Sequence, residues 1–492
     1  MKPRLEILLL AGVLLVLALM ACYRLLVDGF SFSAILEAAM LLAPHLMVAM
    51  MAASSFWVGL GLGGIGLTFS IPLPLMQRLE FGMILMVMLL ALVTLRAAFL
   101  RRKQSLLSTV EDRLMAVVTV AIVLRILYDR PGSAHMGESG GLAEAFYMGL
   151  GAVSYFVMAR LITMGEWSAR PTSRLMMILL TLGAIVQGVS LGMAEGWETA
   201  VRGVFGLQLW FLSALVLSWT LLRAKRGGQT GTPQLLPYLV MAGTMILSVI
   251  TPFRSRPVFA VGIVMTVAYV HGRLRRLGTV TLGGLALVML LWYVGGSDRV
   301  PFVVTRSLST IMPVSHDMAV EYANQFGSSS EVGWGSGFRA DLNRMAWERI
   351  RERPLAGKGF TFSRDELVMQ SYISGSREEM MAHLAVSGIY HNVIVELAVF
   401  CGLPLAALFV LSYLFSLVKF IRFAPGIRDP DYRMLAAALV GFLVAESGQM
   451  LMNGGGRDFY YICLLLGAMR GLRLLLAERE PGLEPVAASG KP

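Results

Sequence analysis

The sequence predicts an all-α polytopic membrane protein, with about 12–14 transmembrane helices and one long extracytoplasmic loop that contains short helices. Three observations predict it. The 492-residue chain is 56% hydrophobic and only 15% charged, with a mean hydropathy of +0.69, whereas soluble domains are about 25% charged. Apolar runs near the ~20 residues needed to cross ~30 Å of hydrocarbon recur along most of the chain. Only the stretch 295–390 is long and polar enough to form a soluble subdomain. This composition excludes an ordinary cytosolic enzyme. A secreted disulfide scaffold is excluded too, because Cys22, Cys401 and Cys463 are the only cysteines and all lie in apolar runs.

The candidate spans are, in order, 5–23, 33–51, 52–71, 81–100, 113–128, 142–162, 174–193, 202–222, 235–251, 257–271, 278–294, 391–420, 433–452 and 457–475. They are apolar all round, as helices buried in lipid and in one another must be. The second and third share almost no loop, and the third carries Gly59, Gly61, Gly63, Gly64 and Gly66. A re-entrant hairpin over 33–71 is therefore the alternative to two spans there. No small-residue cleavage site follows the first run, which reads as a full-length span rather than a signal peptide.

Lys and Arg set the orientation. One set of connections holds Lys2 and Arg4, then Arg96, Arg101, Arg102, Lys103 and Arg113, then Arg160, Arg170 and Arg174. Further along it holds Arg223, Lys225 and Arg226, then Arg273, Arg275 and Arg276, and then Lys419, Arg422, Arg428 and Arg433. Both termini are thus expected in the cytoplasm of a bacterial cell, with 295–390 outside the inner membrane. The net charge of +11 follows from this orientation, and no nucleic-acid partner is expected. The chain divides into N-terminal transmembrane helices (1–234), helices with an Arg-bearing outer turn (235–294), the long periplasmic loop (295–390), C-terminal transmembrane helices (391–476) and a cytoplasmic tail (477–492).

Charges near lipid are expensive, about 2.5–3.5 kcal/mol at mid-membrane, so their positions are informative. Three polar groups converge on the outer face. In TPFRSRP, at 251–257, Arg254 and Arg256 sit in a very short connection that runs against the positive-inside trend. Guanidinium forks suit bidentate contact with phosphate oxygens, and anchoring to lipid headgroups is the structural alternative. In 339–353, Leu342, Met345, Ala346 and Ile350 recur at helical spacing, while Arg344, Glu348 and Arg351 line another face. Pro354 ends that helix, and Gly357-Lys358-Gly359 makes a tight turn. For most of these charges a solvated helix face with internal pairs is the simpler reading. The third group is His391-Asn392, at the start of the span 391–420. Histidine there has the pKa range of a general base, although a lone histidine is more often structural. Glu446, Gln449 and Asn453 form one stripe, with Glu446 a candidate support for Arg254 or Arg256. The six histidines are scattered, without ligand spacing, so no metal and no cofactor is expected.

The order of these features resembles the O-antigen ligase and Wzy-type polymerase superfamily of bacterial envelope polysaccharide assembly. It consists of a Ser-Arg turn between spans, a long outer loop carrying RMAWERIRERPLAGKGF, then HNVIVELAVFCGLPLAALF, and two closing spans. The likeness covers roughly 237–473, and the first half matches only as a bundle of apolar helices. The resemblance implies a GT-C-like, metal-independent inverting glycosyltransferase acting on a glycan carried by polyprenyl diphosphate, such as undecaprenyl diphosphate. Arg254, Arg256 and Arg344 would bind the diphosphate, and His391 would accept the acceptor proton. Gly357, Gly359, Asn392 and Glu446 would support the site. Pro257 after Arg256 and the number of spans depart from the family pattern. The first leaves open which arginine is essential, and the second tilts towards an exopolysaccharide or O-antigen polymerase. The alternatives are a ligase transferring glycan to a lipid A core, as in lipopolysaccharide assembly, and a relative that glycosylates protein. From another class come a lipid-linked glycan transporter or flippase, expected to show repeat symmetry and midplane polar residues, and a pure scaffold. A chain-length regulator or export protein is the expected accessory partner, beside membrane lipids. Arg125 is expected to tolerate replacement by alanine.

Overall fold

The computed structural model describes residues 54–63, 70–73, 76–80, 85–91, 93–94, 107–129, 140–163, 167–195, 207–225, 235–250, 256–295, 336–360, 390, 392–452 and 455–480. The expected spans 5–23 and 33–51 lie outside these residues, as do most of 295–390 and the tail from 481. The regular elements are α1 (Ser54–Gly63), a short antiparallel hairpin of β1 (Ser70–Leu73) and β2 (Met76–Glu80), and α2 (Val110–Asp129). They continue with α3 (Gly140–Thr163), α4 (Ala169–Glu195), α5 (Leu207–Lys225), α6 (Leu236–Ile250), α7 (Arg256–Val270), α8 (Leu274–Gly295) and α9 (Ser336–Glu352). The last four are α10 (Val393–Cys401), α11 (Leu403–Phe423), α12 (Pro430–Met452) and α13 (Gly456–Arg479).

Three stretches are long and apolar enough to cross a membrane: Glu144–Thr163, Leu403–Gly426 and Asp458–Arg479. Leu209–Ala224, Leu236–Ile246 and Arg256–Val270 are shorter apolar helices. The chain therefore has the character of a helical membrane protein. The Asp458–Arg479 stretch is 89% buried and Leu403–Gly426 only 39%, so α13 is the hub and α11 forms an edge. On that edge Leu411, Leu414, Phe415 and Val418 are exposed, the face a helix offers to lipid tails.

Small residues let the hub close. Helices α3 and α13 run parallel, Gly151 lying against the backbone of Tyr460, Gly467 against that of Tyr155 and Gly471 against that of Ala159. A Cβ at Gly151 would stand 2.8 Å from Tyr460 Cα, and one at Gly471 2.8 Å from the Ala159 carbonyl oxygen, so both sites require glycine at this spacing. Helices α7 and α12 pack antiparallel, with Gly448 beneath the Phe259 ring and Gly441 beside Val267. Helix α5 joins them through Phe211 and Phe442, stacked at 4.4 Å.

At the foot of the hub lies a buried ionic lock. Asp112, in the first turn of α2, takes two hydrogen bonds from Arg470, Nε to Oδ1 at 2.9 Å and Nη2 to Oδ2 at 2.7 Å. Tyr155 donates its hydroxyl to the same carboxylate at 2.7 Å, and the Thr109 backbone N–H does so at 3.1 Å. Glu111 beside it pairs with Lys419 at 2.6 Å and Arg473 at 3.2 Å. Burial alone would raise the Glu111 carboxyl, but hydrogen bonding and charge from Lys419, with charge from Arg473, hold it below the ordinary carboxylate value. Its contribution to stability is therefore present above the unfolded pKa and lost as pH falls through the folded one.

Asp112→Ala leaves Arg470 charged and buried, so a loss of about 3–5 kcal/mol is expected. Lys419→Ala, at a half-exposed cation, should cost no more than about 1 kcal/mol. Thermal unfolding of the purified protein in detergent measures both.

Candidate functional site

Asn392 caps α10. Its Oδ1 accepts from the backbone N–H groups of Ile394 at 3.0 Å and Val395 at 3.2 Å, which satisfies two of the four donors that a helix start leaves open. Its Nδ2 donates to the carbonyl of Leu451 at 3.3 Å, tying the start of α10 to the last turn of α12. Arg256 is the first residue of α7, where the following Pro257 is well placed because that N–H has no helical acceptor. Since Phe259 seats on Gly448 of α12, the first turn of α7 and the cap residue Asn392 both meet the last two turns of one helix. Arg254 and His391 themselves lie outside the described residues, as does Asn453.

Glu446 belongs to the same stretch of α12 and is buried. Beside it stands Tyr413 of α11, whose hydroxyl hydrogen-bonds Ser447. Arg344 stands on the exposed face of α9 with Glu348 and Arg351, while Leu342, Ala346 and Ile350 are buried where α9 packs on α10. The amphipathic reading of 339–353 matches this arrangement.

The expected span 391–420 needs correction. It is two helices, α10 and α11, broken at Gly402 (φ +92°), and the membrane-crossing stretch begins at Leu403. The break frees two carbonyls. Pro404 has no N–H to offer Phe400, and the Leu403 N–H donates instead to Pro354 at 2.8 Å, releasing Val399. The turn after α9 supplies the missing donors, Lys358 N–H to Val399 at 2.6 Å and Gly359 N–H to Phe400 at 3.0 Å. Phe360 then stacks on Phe400 at 5.0 Å between centroids. Gly357 and Gly359 have φ of +68° and +89°, a region that glycine alone adopts without strain. A Cβ at Gly357 would lie 2.6 Å from the backbone of Phe400 and Cys401, and one at Gly359 would strike Arg125 and Asp129.

Arg125 and Asp129, at the end of α2, hold the other side of this turn. They form an ion pair at 2.9 Å. Asp129 accepts the Phe360 N–H at 2.8 Å, and Arg125 reaches the Gly357 carbonyl at 3.4 Å. Arg125, expected from the sequence to tolerate replacement, thus has structural partners in this turn. An arginine within an apolar run gives no sign of a partner more than two hundred residues away.

Sequence reasoning also passed over three carboxylates at the start of α13. The buried Glu396 accepts the Tyr390 N–H at 3.1 Å, Glu144 accepts that of Gly456 at 3.0 Å, and Asp458 accepts that of Gly455 at 2.9 Å. Glu396 thus fixes the backbone on one side of position 391 as Asn392 fixes it on the other. The signal was an acid one turn into HNVIVELAVF, in an otherwise apolar stretch. Among the described residues no group of His, Cys, Asp and Glu is arranged to hold a metal ion. Comparison with known protein families and with curated proteins returns no match for this chain.

Gly359→Ala should destabilise by roughly 2 kcal/mol or more, from strain plus collision. Arg125→Ala, which leaves Asp129 buried without its cation, should cost about 2–4 kcal/mol. Both are read as a fall in unfolding temperature. Glu396→Gln retains an acceptor for the Tyr390 N–H and should leave stability near wild type, whereas Glu396→Ala should lose about 1–2 kcal/mol.

Proposed function

We propose that this chain is a membrane glycosyltransferase that draws on a glycan carried by polyprenyl diphosphate and works at the extracytoplasmic ends of its helices, as an envelope polysaccharide polymerase. The observation that supports the reading is that the first turn of α7, which begins at Arg256, meets α12 through Phe259 and Gly448 near the end of that helix, where Asn392, the neighbour of His391 in the chain, is bonded to Leu451. In this reading a cation suited to a diphosphate and a base suited to a hydroxyl work at one end of one helix. The resemblance of 237–473 to the ligase and polymerase superfamily supports the same reading.

In this mechanism the acceptor hydroxyl oxygen bonds to the anomeric carbon, and the bond from that carbon to the diphosphate oxygen breaks. The acceptor proton passes to His391. Negative charge develops on the leaving diphosphate, which Arg256 and Arg254 stabilise as preoriented donors without needing to supply a proton. Asn392 acts as a positioning residue, because its cap and its bond to Leu451 fix the residue next to His391 in the chain. The carboxylates at the start of α13 and the rigid turn at 357–360 support the mouth. The localisation that follows is the bacterial inner membrane, with the acceptor a second lipid-linked repeat.

A strain lacking the gene, complemented at matched membrane levels, tests the proposal. Arg256→Ala and His391→Ala should each lower long-chain glycan by at least about a hundredfold, and Arg256→Lys should remain impaired because a point charge does not reproduce the fork. Single-repeat products in the deletion strain support polymerisation. Polymer accumulating on its carrier would instead indicate a ligase, and wild-type glycan in both variants would refute the assignment.

A further inference from the structure

The end of α7 opposite Arg256 carries a second polar site. Helix α7 has 15 residues, a rise of about 22 Å, and it turns into α8 through His271 and Gly272. Gly272 has φ +66°. The Gly272 N–H donates to Tyr269 at 3.0 Å and the Arg273 N–H to Ala268 at 2.8 Å, the paired bonds of a Schellman turn. This turn fixes where the backbone of Arg273 emerges. Arg273 and Arg276 line a cavity of about 170 Å3 with Tyr238 of α6, and its remaining walls are Leu221, Ala224, Pro237 and Leu277.

Among the described residues, the side chains of Arg273, Arg276 and Tyr238 have no hydrogen-bond or ion-pair partner. No acidic residue occurs in the sequence 219–238 or 269–285, which together include every residue lining the cavity, while Arg223, Lys225, Arg226, Arg273, Arg275 and Arg276 all do. Arg223 is already engaged over the Trp219 ring, 4.7 Å from its centroid. The cavity therefore offers two guanidinium forks and a phenol hydroxyl, with apolar walls, at the ends of apolar helices.

We propose that this cavity binds the phosphate headgroup of an anionic phospholipid. Guanidinium forks match phosphate oxygens, and basic pockets between helices at the cytoplasmic leaflet are suited to such headgroups. Exposed Leu235, Leu239 and Leu274, next to Tyr238 and Arg273 in the chain, favour a lipid over a free phosphate ion, since they offer acyl chains an apolar surface.

Native mass spectrometry of the full-length protein in detergent, with phosphatidylglycerol or phosphatidylcholine added, tests it. Wild type should retain phosphatidylglycerol preferentially, and Arg273→Ala combined with Arg276→Ala should cut that retention about tenfold or more. Arg275→Ala, exposed on α8 and absent from the cavity wall, should behave as wild type, and inorganic phosphate at millimolar concentration should leave the lipid bound. Arg276→Glu provides a second variant on an exposed position if the double replacement lowers the unfolding temperature. Equal retention of the two lipids, or retention of phosphatidylglycerol by the double and Arg276→Glu variants, overturns the proposal. Displacement by inorganic phosphate overturns the lipid assignment in favour of a free-anion site.

Discussion

The exchange of backbone hydrogen bonds at the break between α10 and α11 is the constraint on which the rest of the candidate site depends. A proline two residues after Gly402 withdraws one donor, and a second is diverted to Pro354. In an apolar environment each orphaned carbonyl costs on the order of 1–3 kcal/mol, so the break is tolerable only with the turn at 357–360 in place. That turn is in turn held by Arg125 and Asp129. The polar segment after α8 is thus fastened to the helices at this point by main-chain bonds, and α9 packs on α10 above the same junction. Asn392 and Glu396 occupy the other end of α10, so their positions are fixed from both sides.

Much of the helical architecture is legible in the sequence, because apolar runs, glycine turns and helical spacing are local signals. The amphipathic helix at 339–353 and the stop at Pro354 follow from spacing and backbone chemistry alone. The break at Gly402 escapes hydropathy because glycine, leucine and proline leave the apolar run unbroken, even though one of them cannot donate. Arg470 and Arg473 belong to a buried lock whose acids sit some 360 residues earlier in the chain, a distance no local pattern spans. The role of Arg125 is hidden for the same reason, since its partner at Gly357 lies more than two hundred residues away. For the site itself, the residue types and their order were readable, while the shared helix end that gathers Arg256 and Asn392 was not.

Charge along α13 follows its dipole. Asp458 stands in its first turn, where backbone N–H groups point outward, and Arg479 in its last. Both arrangements lower the energy of a helix that is otherwise surrounded by apolar side chains. The bundle is consequently polarised, with acids facing the end that carries Arg256 and ion-paired bases at the end that carries the Arg273 cavity.

The parallel seam of α3 and α13 has a consequence for biosynthesis. Its two halves are made some three hundred residues apart, so Asp112 and Tyr155 are synthesised long before the arginine that completes them. During that interval the growing chain carries an acid in a nonpolar setting and an open groove where Gly151 awaits Tyr460. Assembly is thereby timed by the ribosome, because the hub helix α13 is made only after α3, which it packs against, and α2, whose Asp112 it bonds.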